Sequence, residues 1–425
     1  MAIELLYGRG TLAVEIPQGI AAHVINKQAM PVLDDPEAAI DEVLAPLGQL
    51  ATGRRSACIL ICDITRPVPN HLFLRPLIRR LMDAGLPASG ITVLVATGLH
   101  RPNEGDELAE LVGDRWVMDH VTVANHFAER DEDHVDLGHT PGRGVPVRLD
   151  RRLVEADLKI ATGLVEPHFM AGWSGGRKVI APGVAHKDTI TTFHNSRFMS
   201  DPAARNCNLD GNPLHEEQLA IVKMLGGALA LNTVIDEERR LAFVNFGEIV
   251  SSHLEAVAFV SRFAEVHIPR RYKVVVTSSA GYPLDKTYYQ TVKGMVGALG
   301  ILAEGGDLII ASQCSEGIGS PHFAQAQQRL VELGVNGFWS SIEGKPLADI
   351  DEWQTQMQLK AMRAGRVTLV SDGLDERAQA MTGVDHAPDI SAALAASLKR
   401  HGVSEIAVIP EGPYVVPVAD RGPDR

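Results

Sequence analysis

The chain has 425 residues and carries 40 Lys and Arg against 53 Asp and Glu, a formal net charge of −13. Because one hydrophobic core stops growing at roughly 250–300 residues, this length predicts two domains. The acidic balance and the lack of a dense basic run argue against a nucleic-acid partner and favour a small molecule. The amino terminus lacks a signal-peptide pattern, and no apolar run approaches the ~20 residues of a membrane span, so we expect a cytoplasmic protein with no membrane partner.

Short apolar runs alternate with amphipathic stretches along the chain, which is the pattern of parallel α/β units. The runs predict strands at 57–62, 91–96, 158–161, 272–277, 307–311 and 367–371. The amphipathic stretches predict helices at 72–84, 104–111, 248–265, 286–302, 323–333, 350–364 and 390–400.

The fold class that this pattern predicts is α/β, with two α/β domains, mainly parallel sheets and an active-site cleft between the domains. We place the boundary at the segment Pro269-Arg-Arg271, where a new series of strands and helices begins. The N-terminal catalytic domain would then comprise residues 1–268 and the C-terminal domain residues 269–425. The tail from about residue 405 is extended, and we expect it to pack back on the N-terminal domain.

Polar residues follow each of the first three predicted strands. Asp63 and Arg66 come after the first strand, His100 after the second and His168 after the third. Ligands of open α/β sheets bind beyond the carboxyl ends of the strands, so these three loops should converge on one pocket. A fourth loop, residues 278–293, follows the first strand of the second domain, which places the expected cleft between the domains.

Residues 163–195 concentrate further chemistry. Gly175 and Gly176 would let the backbone approach a bulky anionic group beside Lys178, and His194 is a candidate metal ligand or base. The sequence Gly172-Trp-Ser-Gly-Gly-Arg-Lys178 lacks the Gly-Lys-Ser/Thr of a Walker motif, so it does not favour an ATPase.

Each of these residues also has a purely structural interpretation. Asp63 could make only a turn, and Arg66 could be a surface ion pair. His100 and His168 could be satisfied loop histidines, but their position at two parallel strand ends favours a general acid/base pair. The acidic, histidine-rich stretch 126–139 lacks regular ligand spacing and is interpreted as a solvated loop. The four cysteines lack zinc-site spacing and are interpreted as buried reduced thiols.

Six motifs, in this order and spacing, resemble the nickel-pincer-nucleotide lactate racemase family. They are Asp63-x-Thr-Arg-Pro, Thr97-Gly-x-His100, Pro167-His168-Phe-Met-Ala-Gly, Ser174-Gly-Gly-Arg-Lys178, Phe193-His194-Asn195 and Tyr288-Tyr-Gln-Thr-x-Lys293-Gly. Each motif alone is weakly specific, whereas six in register are highly specific. The resemblance extends from about residue 57 to the tail.

The resemblance implies a cofactor, the nickel-pincer nucleotide. This is a mononucleotide whose pyridinium ring carries a thioamide and a thiocarboxylate that grip one nickel. By the match of motifs, Lys178 would attach it covalently and His194 would be the protein's nickel ligand, a donor set that suits Ni(II). Asp63, Thr65, Gly175, Gly176 and Arg177 would contact the cofactor. Enzymes that synthesise the cofactor would then be maturation partners.

The resemblance also implies racemisation or epimerisation of a 2-hydroxy acid by reversible hydride transfer, with His100 and His168 as the acid/base pair. Removal of the α-hydrogen as hydride gives a stable keto acid, whereas its removal as a proton would place a second negative charge beside the carboxylate.

The residues implied to bind substrate are Arg66, Tyr289, Gln290, Lys293 and Trp353. Arg101 could recognise a second carboxylate. The substrate within the class of lactate, malate, larger 2-hydroxy acids and sugar acids stays open, as does a homo-oligomeric state. The alternatives are a pyridoxal-phosphate enzyme that uses Lys178 as a Schiff base, and a non-catalytic nucleotide-binding protein on the same scaffold.

Overall fold

The computed structural model describes residues 2–420. Its strands are β1 (Ala2–Tyr7), β2 (Gly10–Glu15), β3 (Ala21–Val24), β4 (Ala57–Cys62), β5 (Ile91–Ala96), β6 (Thr122–Asn125), β7 (His134–His139), β8 (Pro146–Asp150), β9 (Leu158–Leu164), β10 (Pro167–His168), β11 (Gly172–Trp173), β12 (Leu229–Ile235), β13 (Leu241–Glu248), β14 (Glu265–Ile268), β15 (Tyr272–Ser278), β16 (Leu302–Ala311), β17 (Gly365–Val370), β18 (Asp385–His386), β19 (Glu405–Ile409) and β20 (Val416–Ala419). Its α-helices are α1 (Pro36–Val43), α2 (Leu47–Ala51), α3 (Asn70–Asp83), α4 (Gly105–Val112), α5 (Arg115–His120), α6 (Arg151–Val154), α7 (Arg177–Ile180), α8 (Lys187–Phe193), α9 (Ser196–Met199), α10 (Pro213–Met224), α11 (Ile249–Ala264), α12 (Tyr288–Gly297), α13 (Pro321–Ile342), α14 (Glu352–Ala364), α15 (Glu376–Met381) and α16 (Ile390–His401).

The described chain forms two compact units. The Lys178 unit contains residues 29–193 and 202–262, and the His194 unit contains residues 2–28, 194–201 and 263–420. The chain enters the His194 unit for the last time at residue 263, close to the predicted boundary. Residues 2–28 and 194–201 belong to the His194 unit because β3 pairs with β19 and because Ser196 donates a hydrogen bond to the carbonyl of Ile342.

The Lys178 unit is built on a six-stranded sheet of order β13-β12-β9-β4-β5-β6. All pairs are parallel except β12 with β13. Strand β4 (ACILIC) is buried over its first five residues, as expected of a parallel strand covered on both faces. The helix α3 packs Phe73, Leu74, Leu77 and Leu81 into the core of this unit.

The His194 unit contains a second six-stranded sheet, of order β18-β17-β16-β15-β19-β3, in which every pair is parallel. The tail joins this unit through two pairings, β19 with β15 and β20 with β14. The predicted α/β class with mainly parallel sheets is therefore confirmed. No helix within residues 2–420 is both long and apolar enough to cross a membrane.

The cysteines are free thiols, and Cys58 and Cys62 lie on β4 as predicted. Burial raises the pKa of Cys58 to about 12 and that of Cys62 to about 11. Both thiols therefore stay protonated near neutral pH. Cys58 and Cys314 are buried as interpreted, whereas Cys62 and Cys207 are partly exposed.

Candidate functional site

Three neighbouring strands of the Lys178 unit bring the predicted residues to one edge of its sheet. The order β9-β4-β5 is parallel throughout, so the carboxyl ends of these strands lie side by side. Asp63 directly follows β4, His100 lies four residues beyond β5 and His168 lies four residues beyond β9. This strand order places the three segments that follow β4, β5 and β9 at the same edge of the sheet.

Asp63 holds His100 by a short hydrogen bond. The Asp63 carboxylate is only 4% exposed, and its Oδ2 lies 2.5 Å from Nδ1 of His100, whose side chain is 58% exposed. The other oxygen, Oδ1, accepts from the backbone N–H of Thr65 at 3.2 Å and from the Thr65 hydroxyl at 2.5 Å. Since a carboxylate only accepts, Nδ1 of His100 carries a proton, and in the neutral form of the ring the lone pair lies on Nε2.

The charge on Asp63 is stabilised in spite of its burial. Burial alone would raise the pKa of the carboxyl, but hydrogen bonds from His100 and Thr65, with the charges of His100 and Arg66, hold it below its ordinary value. Asp63 is therefore ionised near neutral pH, and its hydrogen bond orients the ring of His100.

Arg66 forms an ion pair with Glu166 at the end of β9. Both side chains are about one-quarter exposed, at 28% and 26%. Burial opposes the charge of Arg66, but the carboxylates of Glu166 and Asp63 raise its pKa, so it remains a cation. The backbone of Glu166 is itself fixed by Ser174, whose hydroxyl accepts its N–H at 3.0 Å.

His168 sits at the start of the β10–β11 turn and is 7% exposed. Its Nδ1 accepts from the backbone N–H of Ala171 at 3.2 Å and, at a longer 3.4 Å, from that of Met170. The amide of Asn212 donates to the carbonyl of Met170 at 3.0 Å. Gly172 has a positive φ of +77° in this turn. A Cβ at this position would lie 2.3 Å from the carbonyl oxygen of Asn208, so the turn requires glycine.

Gly175 and Gly176 are required by the protein's own packing. A Cβ on Gly175 would lie 2.7 Å from a methyl of Val165, and one on Gly176 would lie 2.8 Å from the ring of His253. Both glycines have positive φ, +74° and +48°. The direction in which a Cβ would project from each of these two Cα atoms is therefore occupied by side chains of the same unit.

Arg177 is turned into the interior of the Lys178 unit and is 1% exposed. It donates from Nε to Nδ1 of His215 at 2.9 Å, from Nη2 to the carbonyl of Ala171 at 3.0 Å, and lies with Nη1 3.0 Å from Nε2 of His253. Burial lowers the pKa of Arg177 to about 9. These contacts fix the first residue of α7 and thereby the position of Lys178, which follows it and is half-buried.

His194 belongs to the His194 unit, where its ring packs against Trp353 at a centroid distance of 4.9 Å. Both residues are buried, at 6% and 8% exposure. The segment is fixed by Asn195, which donates to the carbonyl of Pro346, and by Gln356, which donates to that of Ser196.

Helix α12 of the same unit carries the predicted substrate residues Tyr289, Gln290 and Lys293. Thr287 caps the helix through the N–H of Gln290, so Tyr289 and Lys293 lie at i and i+4 on one face, as predicted. The amide of Gln354 donates to the carbonyl of Tyr289 at 2.6 Å. Among the buried side-chain atoms of the described residues, Oε1 of Gln290 lacks a hydrogen-bond partner.

The interpretation of residues 126–139 as a solvated loop is wrong for two of its three histidines, whereas His139 is exposed. His126 and His134 are 1% and 5% exposed, and their Nε2 atoms lie 3.0 Å apart. Burial lowers the pKa of His126 to about 3. The acidic Asp131 is exposed, as a solvated stretch requires. No three His, Cys, Asp or Glu side chains within residues 2–420 form a group that could hold a metal.

Arg101 has a carboxylate partner on its own surface, because its guanidinium pairs with Glu107 at 2.9 and 2.7 Å. Arg101 therefore has an ion-pair partner within the protein, and its presence next to His100 does not require a second substrate carboxylate.

Two supporting residues were missed by the sequence analysis. Asn212 precedes Pro213 at the start of α10, and an Asn-Pro pair is a recognisable helix start. Nothing in the neighbouring sequence indicates that Asn212 also donates a hydrogen bond to the carbonyl of Met170 in the His168 turn. His253 lies on α11, far along the chain from Gly176 and Arg177, and only the folded chain brings them together.

Comparison with known proteins identifies the two halves of the chain separately. Residues 7–206 match the lactate racemase N-terminal domain, and residues 269–417 match the lactate racemase C-terminal domain. The chain is 31% identical to a lactate racemase of Thermoanaerobacterium thermosaccharolyticum, covering 97% of this chain and 98% of that protein. It is 29% identical to a lactate racemase of Lactiplantibacillus plantarum, covering 98% and 99%.

Solved structures agree. The lactate racemase apoprotein from T. thermosaccharolyticum superposes with a TM-score of 0.89 at 29% identity, covering 99% of this chain and all of that one. A protein from Thermotoga maritima shares the fold at a TM-score of 0.67 and 19% identity, covering 90% and 98%. The fold and the matched domains define an isomerase of the racemase class. This chain belongs to the lactate racemase family.

Proposed function

We propose that this protein racemises a 2-hydroxy acid, with lactate as the first substrate to test, by reversible hydride transfer to a nickel-pincer nucleotide. The observation that carries the proposal is the Asp63–His100 pair, which leaves an imidazole nitrogen ready to accept a hydroxyl proton. The family matches support it, since both of the named relatives are lactate racemases.

The chemistry requires a proton and a hydride to leave the same substrate. A base removes the hydroxyl proton while the α-hydrogen departs with its electron pair, and the product is a keto acid. Return of the hydride to the other face of the keto carbon, with return of the proton to the oxygen, gives the opposite enantiomer, so the reaction is redox-neutral. We assign proton transfer at the substrate hydroxyl to His100 and His168, the two histidines that the sequence predicted as the acid/base pair.

Lys178 is the residue that we propose to attach the cofactor. It lies in the first turn of α7, immediately after a glycine pair and an arginine that the interior of the unit holds in place. A half-buried amine on a fixed turn suits a covalent linkage, because its position is set without support from a ligand. We propose that Asp63 and Thr65 contact the cofactor through their polar groups. We assign Arg177 to the support of the turn that carries Lys178.

We propose His194 as the nickel ligand. A buried imidazole whose ring is oriented by Trp353 is a suitable donor for Ni(II) beside sulfur ligands. When bound, the nickel-pincer nucleotide would supply the hydride acceptor. Its synthesis requires dedicated enzymes, which we propose as maturation partners.

Arg66, Tyr289, Gln290, Lys293 and Trp353 are the residues that we propose to bind substrate. Arg66 stays a cation with further guanidinium N–H groups beyond the one that meets Glu166. The unpaired Oε1 of Gln290 offers an acceptor for a substrate hydroxyl. Trp353 contributes through its contact with His194 as well.

The test is intact mass and metal analysis of protein produced together with the cofactor-synthesis enzymes, beside Lys178→Ala. We expect a nucleotide-sized adduct with about one nickel per chain, which the substitution abolishes, and interconversion of D- and L-lactate or another 2-hydroxy acid. An unmodified, nickel-free chain from cells with a working pathway would refute the cofactor assignment. A borohydride-reducible chromophore without nickel would support a pyridoxal-phosphate enzyme instead.

A further inference from the structure

The amino-terminal hairpin β1–β2 contacts the loop that leads into α12. This α12 loop comprises residues 279–287 and follows β15. We infer that Asp285 and the turn of the hairpin, residues 7–9, position the substrate-binding side chains that α12 carries. The inference deepens the proposed function and rests on it, because α12 carries three of the residues proposed there to bind substrate.

The turn of the hairpin holds the α12 loop through Gly8, which both donates and accepts. The N–H of Gly8 donates to Oδ2 of Asp285 at 2.6 Å, and its carbonyl accepts from the N–H of Tyr282 at 2.7 Å. The guanidinium of Arg9 lies 3.8 Å from the centroid of the Tyr282 ring, a cation–π contact. The amino-terminal turn therefore fixes the α12 loop at two points.

Asp285 joins a third segment to this contact and is only 1% exposed. Besides the N–H of Gly8, its Oδ2 accepts from the N–H of Gln313 at 3.1 Å, and its carbonyl accepts from the N–H of Cys314 at 2.7 Å. Gln313 and Cys314 belong to the β16 loop, residues 312–320, which follows β16. Removal of the Asp285 carboxylate would leave two N–H groups from different segments without their acceptor.

The β16 loop in turn fixes the first turn of α12. The first N–H groups of a helix have no acceptor within the helix. In α12 the N–H groups of Tyr288 and Tyr289 donate to the carbonyls of Gly317 and Ile318, each at 2.9 Å. The position at which α12 starts is therefore set by the loop that Asp285 holds.

Both loops contain a non-glycine residue in the left-handed region of the backbone. Ala280 in the α12 loop has φ +59°, and Cys314 in the β16 loop has φ +56°. A residue with a Cβ rarely adopts this conformation and keeps it only where surrounding contacts impose it. At Cys314 one such contact is the hydrogen bond from its N–H to the carbonyl of Asp285. Loops of this kind depend on their contacts for their geometry.

Tyr7 extends the contact of the hairpin to the loop after β17. Its hydroxyl donates to Oδ1 of Asp372 at 2.6 Å and accepts the N–H of Asp372 at 3.0 Å. The N–H of Gly373 donates to the carbonyl of Gln313 at 2.9 Å, which joins this loop to the β16 loop. Strands β15, β16 and β17 are parallel neighbours, so the turn of the hairpin contacts the carboxyl edge of the sheet. Ligands of open α/β sheets bind at this edge.

The first test measures amide hydrogen exchange by mass spectrometry on the purified chain without cofactor. We expect Asp285→Ala to speed exchange in residues 280–293 by at least about ten-fold, because the contacts that hold both loops are lost. Asp307→Ala is the matched control, since Asp307 is also 1% exposed in the same unit but accepts from Ser397 of α16. It should leave exchange in residues 280–293 unchanged. Unchanged exchange there in Asp285→Ala would overturn the inference.

The second test follows steady-state racemisation by the cofactor-loaded enzyme, with lactate as the first substrate. Asp285→Ala should raise KM by at least about ten-fold with a smaller change in kcat, because α12 is proposed to bind substrate. Asp285→Asn keeps an oxygen that both N–H groups can reach, so it should retain a KM close to that of the wild type. A wild-type KM in Asp285→Ala, or an equal rise in Asp307→Ala, would overturn the inference.

Failure of the proposed function is separable from failure of this inference. If the wild-type loaded enzyme racemises no 2-hydroxy acid, the proposed function fails. The exchange measurement needs neither cofactor nor turnover, and it still decides whether Asp285 positions α12.

Tyr7→Phe tests the hairpin by a milder change, the loss of one hydroxyl. We expect faster exchange in residues 280–293 and a rise in KM smaller than that of Asp285→Ala. Tyr272→Phe is the matched control, because the Tyr272 hydroxyl lies 2.6 Å from Nδ1 of His23 in the same amino-terminal segment but at the opposite end of β15. It should change neither quantity. Wild-type exchange and KM in Tyr7→Phe would overturn the role of the hairpin.

Discussion

Asp63 stands out at the scale of single residues, because it is buried, ionised and hydrogen-bonded to His100, one of the two candidate acid/base histidines. Asp63→Asn replaces an obligate acceptor with an amide that can also donate, so it permits the wrong tautomer of His100. We expect kcat to fall by about 10²–10⁴-fold with KM nearly unchanged. The measurement is steady-state racemisation by the loaded enzyme.

Asp157→Asn is the matched control for this substitution. Asp157 also accepts backbone N–H groups, those of Arg55 and Ser56, but it has no contact with the candidate site. Its rate should equal that of the wild type. A fully active Asp63→Asn enzyme would show that His100 needs no carboxylate.

Arg66 gives a second prediction at this scale. In Arg66→Lys the charge persists, but the planar fork that can serve Glu166 and a substrate carboxylate together is lost. We expect KM to rise by at least about ten-fold, with a smaller change in kcat. Arg143→Lys tests the same exchange at a guanidinium that bridges Glu216 and Glu217, and it should leave KM unchanged. A rise in KM confined to Arg143→Lys would count against the role of Arg66.

At the scale of elements, the turn into α7 shows that the protein's own packing is enough to require glycine. Gly176→Ala combines positive φ with a Cβ 2.8 Å from the His253 ring. We expect the free energy of unfolding to fall by about 2–4 kcal/mol. Gly211→Ala has a similar φ of +64° but nothing within 4 Å of its Cβ, so it should cost only about 1 kcal/mol. Urea unfolding of both variants measures the difference, and equal losses would exclude the clash with His253.

The elements also show what local sequence can predict. Strands β4 and β5 were placed at their observed bounds, because continuous apolar runs bounded by polar loops have a clear signal. The helix predicted at 286–302 was wrong at its end, since α12 stops at Gly297 and Leu302 already starts β16. The helix predicted at 323–333 extends to Ile342 through Gly334, whose non-helical φ and ψ mark a kink.

At the scale of the whole molecule, the sequence predicted the parallel strands of the sheets but not which segments belong to each unit. Asp63, His100 and His168 could be grouped because parallel strands share a carboxyl edge. The place of residues 2–28 could not be predicted, because β3 joins its sheet through β19, almost four hundred residues later. Pairings over such distances leave no pattern in either segment alone.

Stability against pH is the last property of the whole molecule that follows from these burials. Burial lowers the pKa of both His126 and His215 to about 3, and the charge of Arg177 adds to the effect at His215. An unfolded histidine has a pKa of about 6.5, so between pH 6.5 and 3 the unfolded chain binds protons that the folded chain does not.

The free energy of unfolding should therefore fall as the pH drops below about 6.5, by up to about 1.4 kcal/mol per pH unit for each histidine. The lowered pKa of Asp63 also favours the folded state at higher pH, but its contribution is lost only below about pH 4, outside this range. Urea unfolding at intervals from pH 7 to 5 measures the slope. His126→Gln removes a titrating side chain, so it should lower this slope by the contribution of about one proton. His120→Gln, at the exposed end of α5, should leave the slope unchanged. Equal slopes in the wild type and His126→Gln would show that His126 is protonated in the folded protein.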